Sequence, residues 1–355
     1  MGLESAVWLL RPQLVCYFQL LLFPYKFFAL HLRKILVSDF KEGCPKVSVL
    51  VPVYNREKYI VECIGSVLKQ EFSDFEIVIV DNRSTDNTWA ICQDLSRTDK
   101  RIRIFQNDKN IGPVLNWMRC IEEARGRYSK IVFSDDLLLD HCLEKMYSAC
   151  TDDDVAFVFS AAKIGSSTEL CTISYQNSSD SLITFDEYVA RLLDHLAPLS
   201  PGAIMLRTKD LKQNLMLDIP ASTPRQFLKN GAGPDILISL ITASNYLYVS
   251  CIREPLVFFR AHEDSFSIRD VNDEVTLGYV SAISFFLKFH APKYWLKYVT
   301  LSWIRQIIKR RSWGSPRKYL IQNEGCGSFV EVVQLLKHAV VLAFGKLLKS
   351  IKVFG

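Results

Sequence analysis

The sequence predicts an α/β protein with a mostly parallel central sheet, and three observations support this fold class. Apolar segments of strand length alternate with segments of helical periodicity between residues 46 and 136. This alternation implies right-handed crossovers between neighbouring parallel strands. Acidic or amide residues follow the apolar segments where the predicted strands end. Neither G-x-G-x-x-G nor G-x-x-x-x-G-K-[ST] occurs, which excludes the glycine-rich phosphate loops of the dinucleotide-binding and P-loop folds.

Four strands are predicted in this part of the chain, each an apolar run that stops at polar residues. The first run is apolar almost throughout, which is typical of a strand buried on both faces of a parallel sheet. Helical patterns separate the strands, so successive strands point in the same direction. Asn55, Asp81 and Asp135 are therefore expected along one edge, where open α/β sheets bind ligands. The predicted strands are residues 47–53, 75–80, 101–106 and 128–133.

The acidic residues at this edge have two interpretations when each is taken alone. Asp81 and Asp86 could be turn and helix-cap residues, and Asp135 with Asp136 could cap a following helix. Alternatively, a carboxylate-lined edge without a glycine-rich loop could hold a diphosphate through a divalent cation. Oxygen ligands favour Mg²⁺ or Mn²⁺ in such a site.

Four segments in the same order resemble the motifs of the inverting family-2 glycosyltransferases, which have the glycosyltransferase A fold. The resemblance is clear from residue 46 to residue 162, weakens through the middle of the chain and is lost after about residue 270. It implies a glycosyltransferase A domain over residues 46–270 and a nucleotide sugar as donor. The four segments are residues 51–55, residues 79–88, residues 110–112 together with Asn116, and residues 133–136.

The resemblance assigns roles to residues at the predicted edge. Asp81 is expected to contact the nucleotide base, and Asp135 is expected to bind both the metal ion and the donor, with Asp136 beside it. The family's metal motif is usually Asp-x-Asp, but its first position is Phe133 here, so this motif supplies one carboxylate to the metal. The other positions implied to lie at the nucleotide are Pro52, Tyr54, Asn55, Glu57, Asn110 and Asn116.

Two later segments also match the family. Asp235 opens an apolar helix at the place where the family has the general base that deprotonates the acceptor hydroxyl; a helix cap is the alternative role. The segment from Arg260 to His262 follows a predicted strand. The resemblance implies that His262 approaches the metal or the diphosphate and that Arg260 holds this segment. A purely structural role is the alternative for His262.

The charge of the chain is unevenly distributed around a net value of +5. Residues 1–46 contain 6 Lys/Arg and 3 Asp/Glu, residues 291–355 contain 12 and 2, and the part between them is acidic. Nucleic acid is not expected as a partner, because a protein groove that binds it would need basic residues beside the site and not only at the ends of the chain. Basic, aromatic-rich ends suit an anionic membrane surface. The 10 cysteines form no C-x-x-C pair, which argues against zinc and fits a reducing cytosol.

Both ends of the chain are predicted to be amphipathic segments outside the domain of residues 46–270. The longest uncharged run of the N-terminal segment, residues 1–45, has 14 residues, fewer than the roughly 20 of a spanning helix. We expect it to lie on the membrane surface; a tilted span and a soluble packing helix are the alternatives. The C-terminal region, residues 271–355, contains a basic amphipathic helix that we expect to bind a membrane surface; packing on the domain or on a second copy is the alternative.

The resemblance to family 2 implies an inverting glycosyltransferase, and the carboxylate-lined edge fits its dependence on Mn²⁺ or Mg²⁺ as cofactor. The expected donor is a nucleotide sugar, with a UDP-sugar as first choice. The expected acceptor is a polyprenyl-diphosphate-linked saccharide, as in the assembly of bacterial surface polysaccharide such as O-antigen. The protein is then expected peripherally on the cytoplasmic face of the inner membrane. One alternative is a non-catalytic sugar-nucleotide-binding or scaffold protein, which Phe133 favours. Another is a nucleotidyltransferase, but residues 54–57 do not form the glycine-rich basic loop that such an enzyme needs after its first strand.

Overall fold

The computed structural model describes residues 43–219, 227–263, 274–310, 315–324 and 328–351. The predicted N-terminal membrane segment, residues 1–45, lies outside the described residues except for its last three positions. Residues from Pro45 onward form one compact unit. Among the helices that the structure describes, none has both the length and the apolarity needed to cross a membrane.

The strands of the described residues form one ten-stranded sheet. Its spatial order is β3-β2-β1-β4-β9-β6-β10-β5, and β7 and β8 extend it by pairing with β6 and β10. The strands are β1 (Val47–Val53), β2 (Phe75–Asp81), β3 (Ile102–Gln106), β4 (Tyr128–Ile131), β5 (Leu137–Leu138), β6 (Val155–Gly165), β7 (Cys171–Ser174), β8 (Ser181–Thr184), β9 (Ile204–Arg207) and β10 (Tyr248–Arg260).

The first four strands are parallel and coincide with the four apolar runs. β1 lies between β2 and β4, and β3 lies outside β2. All residues of β1 and β2 are buried, because both faces of these strands are covered. Val53 is the register partner of Asp81, and Asp81 is the register partner of Gln106. The carboxyl ends of the first three strands therefore meet at one edge of the sheet.

The other strands add antiparallel pairs to the sheet, which is therefore mixed. β9 runs antiparallel to both β4 and β6, whereas β10 runs parallel to β6. β5, β7 and β8 are antiparallel to their partners. The direction of a strand in this half depends on where the chain returns to the sheet, which apolar periodicity does not encode. The predicted α/β class with a large central sheet is confirmed, and every antiparallel pair in the described sheet involves β5, β7, β8 or β9.

Helices lie between the strands and continue after the last one. The helices of the described residues are α1 (Ile60–Leu68), α2 (Thr88–Thr98), α3 (Pro113–Glu123), α4 (Cys142–Ser148), α5 (Phe185–Leu193), α6 (Thr208–Asn214), α7 (Phe227–Asn230), α8 (Pro234–Ala243), α9 (Glu274–His290), α10 (Pro292–Arg310), α11 (Pro316–Glu324) and α12 (Phe329–Ile351).

Two hydrophobic cores cover the two faces of the sheet, because alternate side chains of a strand point in opposite directions. Val49 and Val51 of β1 belong to a core with α1, α2 and α4. Leu50 belongs to the other core, which contains α3 and α8. Phe286 of α9 and Trp303 of α10 are buried in this second core. The C-terminal helices thus pack on the sheet domain through large apolar side chains.

Candidate functional site

Two residues predicted for the site tie together the loops that follow β1 and β2. The Oδ1 atom of Asn55 accepts a hydrogen bond from the backbone N–H of Thr85 at 2.8 Å. The carboxylate of Glu57 accepts the backbone N–H of Asn87 at 3.0 Å and its side-chain amide at 2.9 Å. Asn55 has a φ of 52°, a left-handed conformation that asparagine adopts more readily than most residues. These contacts fix the two loops relative to each other.

Asp81 lies fully buried at the end of β2, where neighbouring loops engage its carboxylate. It accepts hydrogen bonds from the hydroxyl and the backbone N–H of Ser84, the latter at 3.0 Å, and from the side-chain amide of Gln106 at 2.9 Å. The turn role is therefore present in the structure. Pro52 is buried within β1, whereas Tyr54 exposes 39% of its surface. Of these two residues, Tyr54 has the surface that a ligand could contact.

Asparagine side chains form a hydrogen-bonded network at the ends of β2 and β3. Asn107 donates to Asn82 at 3.0 Å and to Asn116 at 2.8 Å. Asn116 is buried and donates to the backbone carbonyl of Val80 at 3.0 Å. Asn82 donates to the Oδ1 atom of Asn110 at 2.9 Å. Asn110 and Asn116 thus support the sheet edge from within, and contact of either with a nucleotide stays a prediction.

Asp135 is the centre of a charged cluster just beyond β4. Its Oδ2 atom lies 2.9 Å from Nε2 of His262 and 3.2 Å from Nε of Arg56. The ring of His262 packs on that of Tyr59, with 5.0 Å between the centroids. The side chains of Asp135 and His262 are 16% and 12% exposed, so they are partly shielded but reachable. The two predicted metal ligands are therefore adjacent in space although 127 residues apart in the chain.

Arg260 joins the chain segments that carry this pair. Its backbone N–H donates to Oδ1 of Asp136 at 2.9 Å, and its Nε donates to the backbone carbonyl of Asp135 at 3.0 Å. Its guanidinium also pairs with Glu62 of α1 at 2.6 Å. Burial, followed by the neighbouring Asp135 carboxylate, raises the pKa of Asp136 well above its ordinary value. Arg260 and Asp136 thus fix the position of the segment that ends at His262.

The pair of Asp135 and His262 fits a small divalent cation, because a carboxylate oxygen and an imidazole nitrogen converge there. Mg²⁺ and Mn²⁺ are commonly held by one or two carboxylates together with substrate phosphates. Phe133, at the first position of the usual motif, adds no ligand and packs on Trp117 with 5.7 Å between the ring centroids. The site therefore offers two protein ligands from the predicted set.

A second group of possible metal ligands lies at the start of α4 and shares no residue with the predicted site. Glu71, His141 and Glu144 place their ligand atoms within 4.8 Å of one another. Nδ1 of His141 is 3.5 Å from the carboxylate of Glu71. His141 and Glu144 also line a wide groove of about 1170 Å³ with residues 250–255. The sequence pattern does not single out these residues, since they are ordinary surface types in separate turns.

Asp235 occupies the second position of α8 and is almost completely buried. Its Oδ1 atom accepts the backbone N–H groups of Gly233 at 2.8 Å and Ile236 at 2.7 Å. Its Oδ2 atom accepts the hydroxyl of Tyr279, from α9, at 2.6 Å. Burial raises the pKa of Asp235 to about 7, although these hydrogen bonds oppose the shift. The carboxylate thus binds N–H groups of the first helical turn, as a capping residue does, and a role as general base stays a prediction.

An aromatic contact connects the loop before α8 with the end of β4. Gly231 lies so close to Trp117 that a Cβ atom would stand 2.1 Å from its ring. Gly231 has a φ of 78°, which favours glycine. Trp117 in turn packs on Phe133, two residues before Asp135. The helix that carries Asp235 is thus positioned, through one tryptophan, against the strand end that carries Asp135.

Three residues around the predicted site are absent from the sequence analysis. Arg56 pairs with Asp135, and its place within the first motif, next to Asn55, is a signal that could have identified it. Gln106 binds Asp81 from the end of β3, where the rule that polar residues end these strands would have included it. Tyr279 has no local signal, because it lies in a long helical segment 44 residues after its partner.

The edge residues lie within a segment that matches a known family model. The model of glycosyl transferase family 2 matches residues 48–215, which include every predicted site residue from Pro52 to Asp136. Asp235 and His262 follow this segment in the chain.

Curated proteins similar to this chain include three from bacteria. Glycosyltransferase GlyG of Streptococcus pneumoniae is 37% identical over 112 residues, covering 32% of this chain and 37% of that protein. The putative teichuronic acid biosynthesis glycosyltransferase TuaG of Bacillus subtilis is 36% identical over 115 residues, covering 32% and 46%. The GalNAc(5)-diNAcBac-PP-undecaprenol beta-1,3-glucosyltransferase of Campylobacter jejuni is 35% identical over 103 residues, covering 29% and 33%. The matched part of the chain spans less than half the length of each relative.

Solved structures with the same fold include S. aureus TarS. The structure of its residues 1–349 in complex with UDP-GlcNAc has a TM-score of 0.57 at 23% identity, covering 73% of this chain and 71% of that chain. Its complex with UDP has a TM-score of 0.55 at 22% identity. At this identity the likeness establishes the fold. Residues 48–215 thus match glycosyl transferase family 2, and these relatives and the shared fold agree with that match.

Proposed function

We propose that this chain is an inverting glycosyltransferase that moves a sugar from a nucleotide-diphosphate donor to a hydroxyl group of its acceptor. The observation that carries the proposal is the contact of Asp135 with His262 at the edge formed by the loops after β1, β2 and β4. Nucleotides bind at the corresponding edge of other open α/β sheets. If Asp135 were only a helix-cap or turn residue, an imidazole beside its carboxylate would not be required.

The loops after β1 and β2 are the proposed nucleotide site. Structures of TarS hold UDP-GlcNAc or UDP, which supports a UDP-sugar as the donor of this chain. The exposed ring of Tyr54 offers a stacking surface for a base. Asp81 and Asn55 hold the loops around it rather than projecting into solvent. The donor base is therefore proposed to lie between Tyr54 and the turn at residues 81–85.

Asp135 and His262 would hold Mn²⁺ or Mg²⁺ together with the donor diphosphate. When bound, the ion neutralises the negative charge that grows on the departing diphosphate. Arg56 pairs with the same oxygen of Asp135, so it shares this carboxylate with the ion. Arg260 keeps His262 in reach of Asp135 through its contacts with the backbone of residue 135 and the side chain of Asp136.

Asp235 is the proposed general base. In a single displacement, the acceptor oxygen bonds to the anomeric carbon while the bond from that carbon to the diphosphate oxygen breaks. The proton of the acceptor hydroxyl passes to the Asp235 carboxylate, and attack from the face opposite the diphosphate inverts the anomeric centre. A pKa of about 7 suits this role, because a base is most effective when its pKa lies near the working pH.

The proposed acceptor is a lipid-linked saccharide at the cytoplasmic face of a membrane. The name of the Campylobacter relative describes an undecaprenol-linked acceptor, and the name of TuaG describes teichuronic acid biosynthesis. Helix α12 exposes Leu336, Val340 and Val341 beside Lys337, which supports a membrane-facing surface. Leu335 of the same helix is buried in the core, so α12 also packs on the domain.

The second candidate function is non-catalytic binding of a sugar nucleotide, and Phe133 favours it. A ring packed on Trp117 stands where the family motif usually supplies a carboxylate. The two candidates differ in one property, because a binding protein leaves the bond between sugar and diphosphate intact.

Incubation with a panel of nucleotide sugars, in Mn²⁺, in Mg²⁺ and in chelator, tests the proposal. We expect one donor to release nucleoside diphosphate in the presence of either ion, with a UDP-sugar as first choice, and little release in chelator. Binding of a nucleotide sugar without release of diphosphate, even with extracted membrane lipids as acceptor, would support the binding protein instead.

A further inference from the structure

The first helix of the C-terminal region makes backbone contact with the loop that precedes the proposed base. Gly278 of α9 faces Ala232, and a Cβ atom at Gly278 would stand 2.4 Å from the carbonyl oxygen of Ala232. Ser281 and Ala282, on the following turn, are also buried. Small residues on this face let α9 approach α8 closely, since a larger side chain would hold the two backbones apart.

Tyr279 follows Gly278 and extends from this contact to Asp235. Its hydroxyl donates to the Oδ2 atom of Asp235 at 2.6 Å, while the Oδ1 atom is occupied by the N–H groups of Gly233 and Ile236. Tyr279 is therefore the residue that holds the Oδ2 atom in position. Burial, followed by the charge of Asp235, raises the pKa of Tyr279 well above its ordinary value, so the phenol stays protonated and acts as the donor.

We propose that Tyr279 is a positioning residue for the general base, so that a helix of the C-terminal region completes the active site. This inference rests on the proposed function of Asp235. The hydroxyl fixes the Oδ2 atom and stabilises the ionised carboxylate, because a hydrogen bond donated to a carboxylate favours its charged form. Among the titratable groups of the described residues, Tyr279 acts on Asp235, and Asp235 and Tyr175 act on Tyr279.

The test is Tyr279→Phe in the full chain, with the titration of Asp235 as its main readout. The carboxyl signal is followed by infrared difference spectroscopy and assigned with Asp235→Asn, so no substrate is needed. We expect Asp235 to titrate near pH 7 in the wild type and about one pH unit higher in Tyr279→Phe. The rise of kcat with pH, measured with the donor found in the panel, should shift upward equally while the KM for donor stays unchanged.

Tyr246→Phe is the matched control, because the structure has a second tyrosine–aspartate pair. The hydroxyl of Tyr246 donates to Oδ2 of the buried Asp210 at 2.7 Å. This variant removes a similar hydrogen bond elsewhere and should leave the titration of Asp235 unchanged. A fluorinated tyrosine at position 279 keeps the side-chain size but donates more strongly, so Asp235 should then titrate at lower pH.

The possible outcomes separate this inference from the proposed function. An unchanged titration of Asp235 in both Tyr279→Phe and the fluorinated protein overturns the positioning role. If these titrations shift as expected but no donor is consumed at any pH, the contact stands and the proposed function fails. If Asp235→Asn retains wild-type turnover, Asp235 is not the base, and the positioning role falls with it.

Discussion

The Oδ2 atom of Asp135 is the proposed metal ligand, and other side chains already contact it. Arg56 and His262 both contact this atom, and only His262 is a suitable metal ligand. A guanidinium has no lone pair to offer, so Arg56 competes with a cation for the carboxylate instead of assisting in its binding. Phe133 stands where the usual motif has its first carboxylate. Asp135 is therefore the one carboxylate of the motif for which Arg56 and a cation compete.

Arg56→Ala should therefore bind Mn²⁺ more tightly than the wild type. The ion pair with Asp135 is partly buried and is expected to be worth about 1 kcal/mol, which corresponds to about a fivefold lower dissociation constant. The concentration of free Mn²⁺ during a titration is measured by electron paramagnetic resonance, so the experiment does not depend on enzymatic turnover. Arg97→Ala, which removes an exposed arginine on α2, is the control and should match the wild type. Weaker Mn²⁺ binding by Arg56→Ala would show that Arg56 supports the site.

Most candidate residues could be named from the sequence, because each lies at or soon after the end of a strand, or opens a helix, within a recognisable motif. Asp81, Asp135 and Asp235 are of this kind. What the sequence could not show is which of their oxygen atoms are already engaged. Tyr279 illustrates the limit, since its contact with Asp235 depends on how two helices 44 residues apart pack, and no spacing rule encodes that distance.

At the scale of elements, the parallel half of the sheet follows from the chain itself. Each of the four strands is a short apolar run, and each crossover helix leaves only one direction for the next strand. The antiparallel strands could not be predicted in the same way. β9 inserts between β4 and β6, and its direction is set by pairing with strands far away in sequence.

Gly278→Ala tests the close packing of α9 on the loop before α8. Its new methyl group would overlap the carbonyl oxygen of Ala232, so we expect a loss of about 1–3 kcal/mol in the free energy of unfolding, measured by urea denaturation. Gly65→Ala is the control, because Gly65 lies within α1 and nothing surrounds its Cβ position. That change should be neutral or stabilising by about 0.5–1 kcal/mol. Equal stability of Gly278→Ala and the wild type would contradict the packing.

At the scale of the whole molecule, the C-terminal helices have two roles in this account. Their large apolar side chains extend the core beside α8, and Tyr279 reaches the proposed base. The outer side of α12 remains exposed and apolar at Leu336, Val340 and Val341. The sequence predicts this helix and its amphipathic pattern. It favours membrane binding over packing, and the buried Leu335 shows that the helix also packs on the domain.

Replacing Val340 and Val341 by serine should weaken binding to vesicles that contain anionic lipid. We expect about a tenfold loss in the partition coefficient, because two exposed valines would no longer enter the interface. Co-sedimentation with the vesicles at low and high salt measures the partition coefficient, and binding should fall with added salt. Val61→Ser, an exposed valine of α1, is the control. Equal binding of the double variant and the wild type would show that α12 does not contact the membrane.

The most direct test of the central claim compares donor affinity and turnover in Asp135→Asn and Asp235→Asn, with the exposed Asp194→Asn as control. The account predicts that both variants lose at least about 100-fold in turnover, whereas only Asp135→Asn binds the donor more weakly, by about tenfold or more. Asp235→Asn should bind the donor like the wild type, because the base acts on the acceptor. Wild-type turnover in either variant, or weakened donor binding in Asp235→Asn alone, would contradict this division of roles.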